Sequence, residues 1–420
     1  MSELRRIQLD ESAAFGVRAE FTRAEAAALS ATGFLDLRPD LEQGWMVRPA
    51  GLVGAVRAGD VQVEVWPKRR VKLGHLVFML GYAADPGFRP ETVEAERYDE
   101  LWPALAESLA RLADHALMHG VLQGYRTVDE SSMVVRGRIR VGDQLRARPG
   151  RAVPLEVSYD DYLVDIAENQ ILRTALRRMS AVPGIARGVR ARLAHLDNRL
   201  SGVAVLRPNQ RRPEWRATRL NERYHPVLRL AEVILANSSA QNGNGGIKVA
   251  AFAVSMWKVF EDFVTVALGE AFARRGARLA AQYRAHLDTE RTDGRSRVPM
   301  AVDLVHLDRG IPRTVLDAKY KAADASGRYP NADKYQMLAY CTALEVTEAL
   351  LVYAQGGEAI TRRVIHSGVE IAEVPLDLAV SPRESLAAID RIASAVLHRS
   401  VSGRIDLDLL SAPVIEQTPA

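Results

Sequence analysis

The sequence predicts an α+β protein of several domains, and three observations lead to this prediction. The chain has 420 residues, which suits two or three domains at about 100–200 residues each. Alternating and helical spacings of apolar residues occupy different parts of the chain. Between two of these parts lies the run NSSAQNGNGG at 237–246, whose Gly, Asn and Ser residues disfavour both helix and sheet. We therefore predict a β-rich domain at 1–98, a mainly helical region at 99–236, a linker at 237–247 and an α/β domain at 248–420.

The β-rich domain is predicted from alternation. Residues 51–56 and 61–66 alternate apolar and polar side chains on either side of Ala58-Gly59-Asp60, which is typical of a hairpin. Pro67 ends the second strand because proline cannot donate a ladder hydrogen bond. A helix is expected to begin near residue 71.

The helical region and the α/β domain are predicted from their apolar spacing. Helices are expected in the middle region at 100–118, 165–179, 189–200 and 222–236, with a β-like insert at Met133–Val141 between the first two. After the linker the order becomes α-β-β-β-α-β. The elements predicted there are helices at 249–275, 332–344 and 382–398, and strands at 278–285, 298–307, 313–320, 349–354, 361–365 and 371–374.

Composition excludes several classes of protein. Hydrophobic residues make up 48% of the chain and charged residues 26%, a balance typical of folded rather than disordered proteins. Cys341 is the only cysteine, which excludes an internal disulfide framework and a four-cysteine zinc site. The longest apolar stretch, near 73–84, is too short to span a bilayer, and the first 15 residues lack the apolar core of a secretion signal. We therefore expect a cytoplasmic protein without membrane contact.

The charge is mildly basic. The formal net charge is +4, which is compatible with nucleic-acid binding without being diagnostic of it. The segment 207–223 carries six arginines. Arg211 and Arg212 within it are candidates for contacts with DNA phosphates or with an acidic groove of a partner, and a solvated loop is the alternative.

The segment 298–321, VPMAVDLVHLDRGIPRTVLDAKYK, carries the chemistry. Asp317 and Lys319 are two apart on a predicted strand and therefore share a face. In a hairpin closed symmetrically around Gly310, Asp303 would lie opposite Asp317, with about 4.5–5.5 Å between the Cβ atoms. Two facing carboxylates repel each other, and a divalent cation would resolve this.

Magnesium suits this arrangement, and manganese is an alternative ion. Mg²⁺ takes one or two carboxylates together with water and substrate phosphates. Lys319 beside it would orient or help to deprotonate the attacking water and stabilise charge on phosphorus, as in metal-assisted phosphodiester hydrolysis. The triplet alone proves little, because 52 acidic residues and seven lysines in 420 positions predict about one by chance. The prediction depends on its combination with the opposing Asp303 and the two flanking helices.

Those flanking helices supply further candidates. Glu261 is predicted to reach the cluster as a third metal ligand, with Trp257, Phe260 and Val264 on the core stripe of the same helix; a solvent-facing Glu261 is the alternative. Gln336 and Tyr340 lie one turn apart in the following helix, where they would contact DNA phosphate or the attacking water. An ordinary amphipathic helix is the alternative there.

This layout resembles the PD-(D/E)XK nuclease fold. Asp303 matches the aspartate of its motif, Asp317 the acidic position and Lys319 the lysine. Pro299 precedes Asp303 by four residues rather than one, so the literal Pro-Asp pair is absent.

The resemblance extends to McrC, the cleavage subunit of McrBC-type modification-dependent restriction systems, over residues 50–355. It is carried by FEDFV, DAKYK and DKYQMLAY in the C-terminal part, and by VQVEVWPK, GYRTVDESSMVVRGRIRVGDQL and DYLVDIAENQILRTAL before it. The last segment contains a D-x-x-EN-x-x-L pattern, and RGRI lies in the one before it.

The resemblance implies a Mg²⁺-dependent DNA endonuclease that acts with a hexameric AAA+ GTPase, McrB, onto which the helical region docks and whose GTP hydrolysis it stimulates. The expected substrate is double-stranded DNA with modified bases, and Lys321 joins the possible DNA contacts. The chain has no G-x-x-x-x-G-K-[ST], so GTP would enter only through the partner. The alternatives are a non-catalytic activator of an AAA+ ring and a stand-alone repair nuclease.

Overall fold

The structure is a computed structural model. The residues that it describes are 5–11, 13, 16–40, 44–67, 71–84, 86, 101–182, 185–207, 210–242, 248–289, 297–320, 331–354, 358–398 and 405. The fold is mixed α+β, as the sequence predicts. None of the described helices is long and apolar enough to cross a membrane.

The chain divides into two compact units. One contains residues 1–99 together with 251–420, and the other contains residues 100–250. The N-terminal segment, predicted as a domain of its own, thus shares a unit with the C-terminal region. The reason is a common core that the periodicity of either segment alone does not reveal.

The N-terminal segment contributes six strands and two helices to the first unit. They are β1 (Arg5–Asp10), β2 (Val17–Ala19), α1 (Arg23–Ser30), β3 (Leu35–Asp40), β4 (Gly44–Pro49), β5 (Val53–Ala58), β6 (Val61–Trp66) and α2 (Leu73–Ala84). The predicted hairpin is present as β5 and β6, in which Ala58 pairs with Val61. The capping box of α1, between Thr22 and Glu25, fixes where that helix begins.

The C-terminal segment supplies the rest of the unit. Its elements are β11 (Lys248–Val254), α8 (Met256–Arg274), β12 (Arg278–His286), β13 (Pro299–Asp308), β14 (Ile311–Lys319), α9 (Asn331–Leu344), β15 (Glu348–Tyr353), β16 (Ile360–Arg363), β17 (Glu370–Pro375) and α10 (Pro382–Leu397). Strand pairing and aromatic packing join it to the N-terminal segment. β11 lies beside β5 in one sheet, and Phe78 and Tyr82 of α2 lie 5.9 and 5.7 Å from Phe263 of α8 between ring centroids.

The structure corrects two predictions about residues 237–254. A helix was expected from residue 249, but it begins only at Met256, and residues Lys248–Val254 are extended. Gly54 of β5 shows why a strand fits there: a Cβ on this glycine would lie 2.0 Å from the carbonyl oxygen of Phe252. The predicted linker also contains a strand, β10 (Ser238–Asn242); residues 243–247 lie outside the described ones.

The second sheet of the first unit carries the predicted chemistry. Its strand order is β12-β13-β14-β15-β17-β16. β12, β13 and β14 are antiparallel neighbours, whereas β14, β15 and β17 run parallel, with α9 as the crossover between β14 and β15. A core cluster on this sheet includes Val302, Val305, Val315, Met337, Tyr340 and Leu351.

The second unit combines helices with a small sheet. Its elements are α3 (Leu101–Leu117), β7 (Gly124–Ser132), β8 (Arg138–Ile139), α4 (Val141–Ala147), β9 (Leu155–Leu163), α5 (Ala167–Ser180), α6 (Arg187–Arg199), a 3-10 helix (Arg219–Tyr224) and α7 (His225–Asn237). The sheet order is β7-β9-β8. The predicted β insert is therefore larger than Met133–Val141. The largely exposed strand β7 lacks a clear apolar alternation, and β9 alternates only over its first five residues.

Candidate active site

β13 and β14 meet in a two-residue turn. Its residues Arg309 and Gly310 have φ values of +51° and +84°, the pattern of a type I′ turn, whose twist matches that of the flanking strands. The prediction placed Gly310 at the centre of a symmetric turn, which would be one residue longer than the observed turn. A register shift next to Leu307, where Arg313 is the extra residue, compensates for the difference.

The register beyond this bulge brings the predicted acids together. Leu304 pairs with Leu316, and the same register continued by one residue puts Asp303 opposite Asp317. Lys319 Nζ lies 2.7 Å from Asp317 Oδ2 and 3.8 Å from Asp303 Oδ2. The three side chains thus form one cluster at the end of β14.

Asp317 is the most deeply placed member of the cluster, with only 1% of the residue exposed. Burial raises its pKa to about 7; the ion pair with Lys319 opposes this shift, and the nearby Asp303 adds to it. Asp317 Oδ2 contacts the Lys319 ammonium at 2.7 Å, whereas Oδ1 has no hydrogen-bond partner in the described structure. Buried carboxylate oxygens normally have partners, and one without a partner is often the place of a bound water or ion.

Lys319 lies beside carboxylates. Burial alone would lower its pKa, but the carboxylates of Asp317, Asp303 and Glu261 together raise it above the usual value. A cation in this position can stabilise negative charge, which is one of the roles predicted for Lys319. Its part in orienting or deprotonating the attacking water stays a prediction.

The residues present fit a magnesium ion through two carboxylates. The test is the buried Asp317 carboxylate next to Asp303, whose Oδ1 has no hydrogen-bond partner among the described residues. Within the described ranges, no group of three or more His, Cys, Asp and Glu side chains could hold a metal ion. The described residues therefore do not bring Glu261 into one ligand group with Asp303 and Asp317, and a metal role for Glu261 stays a prediction. Two carboxylates remain a normal number for Mg²⁺, which keeps several waters.

Glu261 lies near the cluster without joining it. Burial raises its pKa; the charge of Lys319 opposes the shift, and that of Asp303 adds to it. The prediction for Trp257, one turn earlier in α8, was wrong: 55% of it is exposed. Phe260 and Val264 are buried as predicted, and Met256 is buried in place of Trp257. Trp257 therefore lies on the same side of the helix as Glu261.

Gln336 and Tyr340 interact with each other. Gln336 Nε2 donates to the Tyr340 hydroxyl at 2.7 Å, and that hydroxyl donates to the carbonyl oxygen of Ala301 in β13 at 3.2 Å. Burial raises the pKa of Tyr340, and the charges of Asp303 and Asp317 add to the shift. The pair therefore joins α9 to the sheet beside the acids. Tyr340 is buried, and its contact with DNA phosphate or the attacking water stays a prediction.

The remaining predicted contacts lie elsewhere. Arg211 and Arg212 belong to the second unit, where Arg211 pairs with Glu214 at 2.8 Å and Arg212 donates to the carbonyl oxygen of Glu232 at 3.0 Å. Lys321 lies outside the described residues. His306 packs on Phe272 with 5.4 Å between ring centroids.

Gln282 is a site residue that sequence reasoning missed. Its Nε2 donates to Asp303 Oδ1 at 3.0 Å, and its φ is +48°. No pattern in the sequence marks it, because glutamine is neither a turn residue nor one that favours positive φ.

Two residues of the D-x-x-EN pattern, Asp165 and Asn169, make structural contacts within the second unit. Asp165 accepts hydrogen bonds from Arg126 at 2.6 Å and from the backbone of Ala204 at 2.8 Å. Asn169 donates to the carbonyl oxygens of Leu122 and Val164. These contacts hold the start of α5 against neighbouring chain segments, beside a cavity of about 580 Å³.

Comparison with known proteins now identifies the family. The model of the McrBC 5-methylcytosine restriction system component family matches residues 47–354. The chain belongs to this family. The match confirms the resemblance to McrC seen in the sequence. No curated protein matches the chain.

Solved structures of McrBC assemblies are similar to this McrBC-family chain. One is a refined half-complex from the tetradecameric assembly of Thermococcus gammatolerans McrB AAA+ hexamers with bound McrC; the match has a TM-score of 0.54 at 16% identity and covers 90% of this chain and 89% of that one. Another is the Thermococcus gammatolerans McrBC complex, with a TM-score of 0.39, 16% identity and coverage of 63% and 88%. The first match shows a shared fold.

Proposed function

We propose that this McrBC-family chain is the endonuclease component of a modification-dependent restriction system. It would hydrolyse phosphodiesters of double-stranded DNA with Mg²⁺, by the chemistry of PD-(D/E)XK nucleases. The observation that carries the proposal is the cluster of Asp303, Asp317 and Lys319 at the end of β14, with 2.7 Å between Lys319 Nζ and Asp317 Oδ2.

Each residue of the cluster has a distinct role in this proposal. Asp303 and Asp317 would hold the ion, which supplies Lewis-acid polarisation of the phosphoryl oxygen and a more acidic water. Lys319, protonated, stabilises the negative charge that develops on the phosphoryl oxygens in the transition state. Glu261 adds negative charge at the rim, and the Gln336–Tyr340 pair fixes α9 beside the reacting groups.

The substrate follows from the family. Its description names 5-methylcytosine restriction, which supports double-stranded DNA with modified bases as the substrate. The exposed Trp257 lies on the side of α8 that carries Glu261, where a nucleic-acid strand that reaches the acids would pass.

The second unit supports a partner role. Eight large apolar side chains are exposed within residues 124–163, although apolar surface of this kind is normally buried or used for binding. They are Tyr125, Met133, Val134, Val135, Val141, Leu145, Val153 and Tyr162. We infer that this insert docks onto a hexameric AAA+ GTPase like McrB, which supplies the GTP hydrolysis that this chain lacks a P-loop to perform.

An adaptor without cleavage activity is the second candidate. It is favoured by the same insert, because docking and stimulation of a GTPase would need none of the residues in the acidic cluster.

Cleavage assays separate the two candidates. Methylated and unmethylated plasmids are incubated with the purified chain, with and without an McrB-like partner, GTP and Mg²⁺. An endonuclease component cuts the methylated plasmid only when Mg²⁺ is present. Stimulated GTP hydrolysis without any cutting, at every Mg²⁺ and Mn²⁺ concentration, would support the adaptor instead.

A further inference from the structure

Gln282 has a backbone conformation that is rare for its residue type. Its φ of +48° lies in the left-handed region, where a residue with a Cβ is strained. All nine residues of β12 are described, and Gln282 alone has no ladder partner in β13. Because Ala281 pairs with Leu304 and Tyr283 with Val302, the residue opposite Gln282 is Asp303.

Both strands are irregular at this point. Ala280 and Tyr283 pack against the same core cluster, and so do Val302 and Val305. In a regular strand, residues three apart point to opposite faces. The alternation of side chains between the two faces is therefore interrupted at Gln282 in β12 and at Asp303 in β13. Because both strands are interrupted at the same point, the pairing register is the same on either side of it.

The strained residue contacts one oxygen of Asp303. Gln282 Nε2 donates to Oδ1 at 3.0 Å, whereas Oδ2 lies 3.8 Å from Lys319 Nζ. The hydrogen bond thus distinguishes the two oxygens, and the one without it faces the cluster. Strained residues of this kind concentrate where geometry serves function.

We propose that Gln282 is a positioning residue for the magnesium site. It holds Asp303 through Oδ1 so that Oδ2 stays directed at Asp317 and Lys319. The proposal rests on the proposed function, since it assumes that Asp303 is a metal ligand. Groups that orient metal ligands typically change metal affinity by about 10–100-fold when they are removed.

The variant Gln282→Gly tests this in the full chain. Glycine adopts positive φ freely, and the exposed glutamine side chain leaves no cavity when it is removed. We expect a melting temperature in EDTA that equals or exceeds that of the wild type. We also expect Mg²⁺ affinity, measured by calorimetry, to fall by about 10-fold or more. A residue with a merely structural role would show the reverse, a lower melting temperature and unchanged affinity.

A matched control is available in the same unit of the chain. Glu345, which follows α9, has a φ of +54°, so Glu345→Gly relieves comparable strain away from the acids and should leave Mg²⁺ affinity unchanged. Gln282→Asn is a second variant if the glycine variant does not fold. Asparagine tolerates positive φ, but its shorter amide cannot make the same contact, so it should also weaken Mg²⁺ binding.

Asp303→Asn distinguishes the two levels of the proposal. Suppose that the wild type binds Mg²⁺ and that Asp303→Asn weakens this binding. If Gln282→Gly then leaves Mg²⁺ binding unchanged, the role proposed for Gln282 is wrong and the proposed metal site stands. If wild-type affinity is absent or Asp303→Asn leaves it unchanged, both proposals fail. In the Asp303→Asn background, Gln282→Gly should have no additional effect, because the two residues act through one carboxylate.

Discussion

The end of β14 and the insert at 124–163 depart from normal burial in opposite directions. In the first unit a carboxylate is buried, with Asp317 only 1% exposed. In the second unit apolar side chains face solvent, with 79% of Tyr125 and 71% of Val134 exposed. Both arrangements cost stability and neither helps folding. The difference supports the proposed division of functions: the buried charges are suited to chemistry, and the exposed apolar side chains are suited to a protein partner.

The largest expected effect comes from Lys319. Lys319→Ala removes the charge that faces Asp317 and Asp303, and cleavage should fall by about 10²–10³-fold or more, the usual cost of losing one group that stabilises the transition state. Stimulation of the partner GTPase should stay at the wild-type level, because the insert is unchanged. Gel-based cleavage and phosphate release measure the two activities in one reaction.

Arg313→Ala is the control for Lys319. Arg313 is an exposed cation at the turn end of the same strand, paired with Asp308 at 3.5 Å. Its loss should leave cleavage within about twofold of wild type. Equal losses in the two variants would mean that general positive charge, rather than the cluster, supports cleavage.

The insert should show the opposite pattern. The double variant Val134→Asp, Val135→Asp places two charges on the exposed apolar surface and should reduce GTPase stimulation at least about tenfold, the effect of losing roughly 1.4 kcal/mol of binding. Stability should change by no more than about 0.5 kcal/mol, because both side chains are exposed. Leu220→Asp is the matched control, since Leu220 is 87% exposed in the same unit but outside the insert. An equal loss of GTPase stimulation in Leu220→Asp would contradict a special role of the insert.

A partly exposed ion pair should behave differently from the buried cluster. Asp390 of α10 lies 2.5 Å from Arg275 Nη2 and 2.9 Å from Arg274 Nη2, and these guanidinium groups lower its pKa to about 2. A carboxyl with a lowered pKa in the folded state stabilises that state above the unfolded pKa. The contribution is lost as the pH falls through the folded value. Asp390→Asn should cost on the order of 1 kcal/mol at pH 7, after allowance for solvent screening.

Chemical denaturation between pH 7 and pH 2 measures this contribution. The difference between wild type and Asp390→Asn should be constant from pH 7 to about pH 5 and should shrink towards pH 2. Asp262→Asn is the control, because Asp262 pairs with the exposed Lys258 one turn away. A difference that grows on acidification would contradict the assigned role of the ion pair.

The sequence predicted the parts of the site that depend on strand periodicity. The pairing of Leu304 with Leu316 follows from the alternation of β13 and β14, and it brings Asp303 to Asp317 although the turn was placed one residue too long. The predicted hairpin at 58–61 is confirmed for the same reason. Local patterns are sufficient where one strand follows the next through a short turn.

Features that depend on distant segments were not predictable. The run 248–254 is apolar without a clear period, and it becomes strand β11 because it lies against Gly54, nearly 200 positions earlier. Trp257 looked like a core residue from its hydrophobicity, but the stripe of α8 that is buried lies on another side. Gln282 acquires its role only from its position opposite Asp303.

The most direct test of the account is to measure cleavage and GTPase stimulation together for Asp317→Asn. This substitution keeps the shape of the side chain and removes the charge of the buried carboxylate. With partner, GTP, Mg²⁺ and methylated plasmid, the account predicts that cleavage is lost while GTP hydrolysis is stimulated as in the wild type. Cleavage at the wild-type rate by this variant would contradict the assignment of the active site to the end of β14.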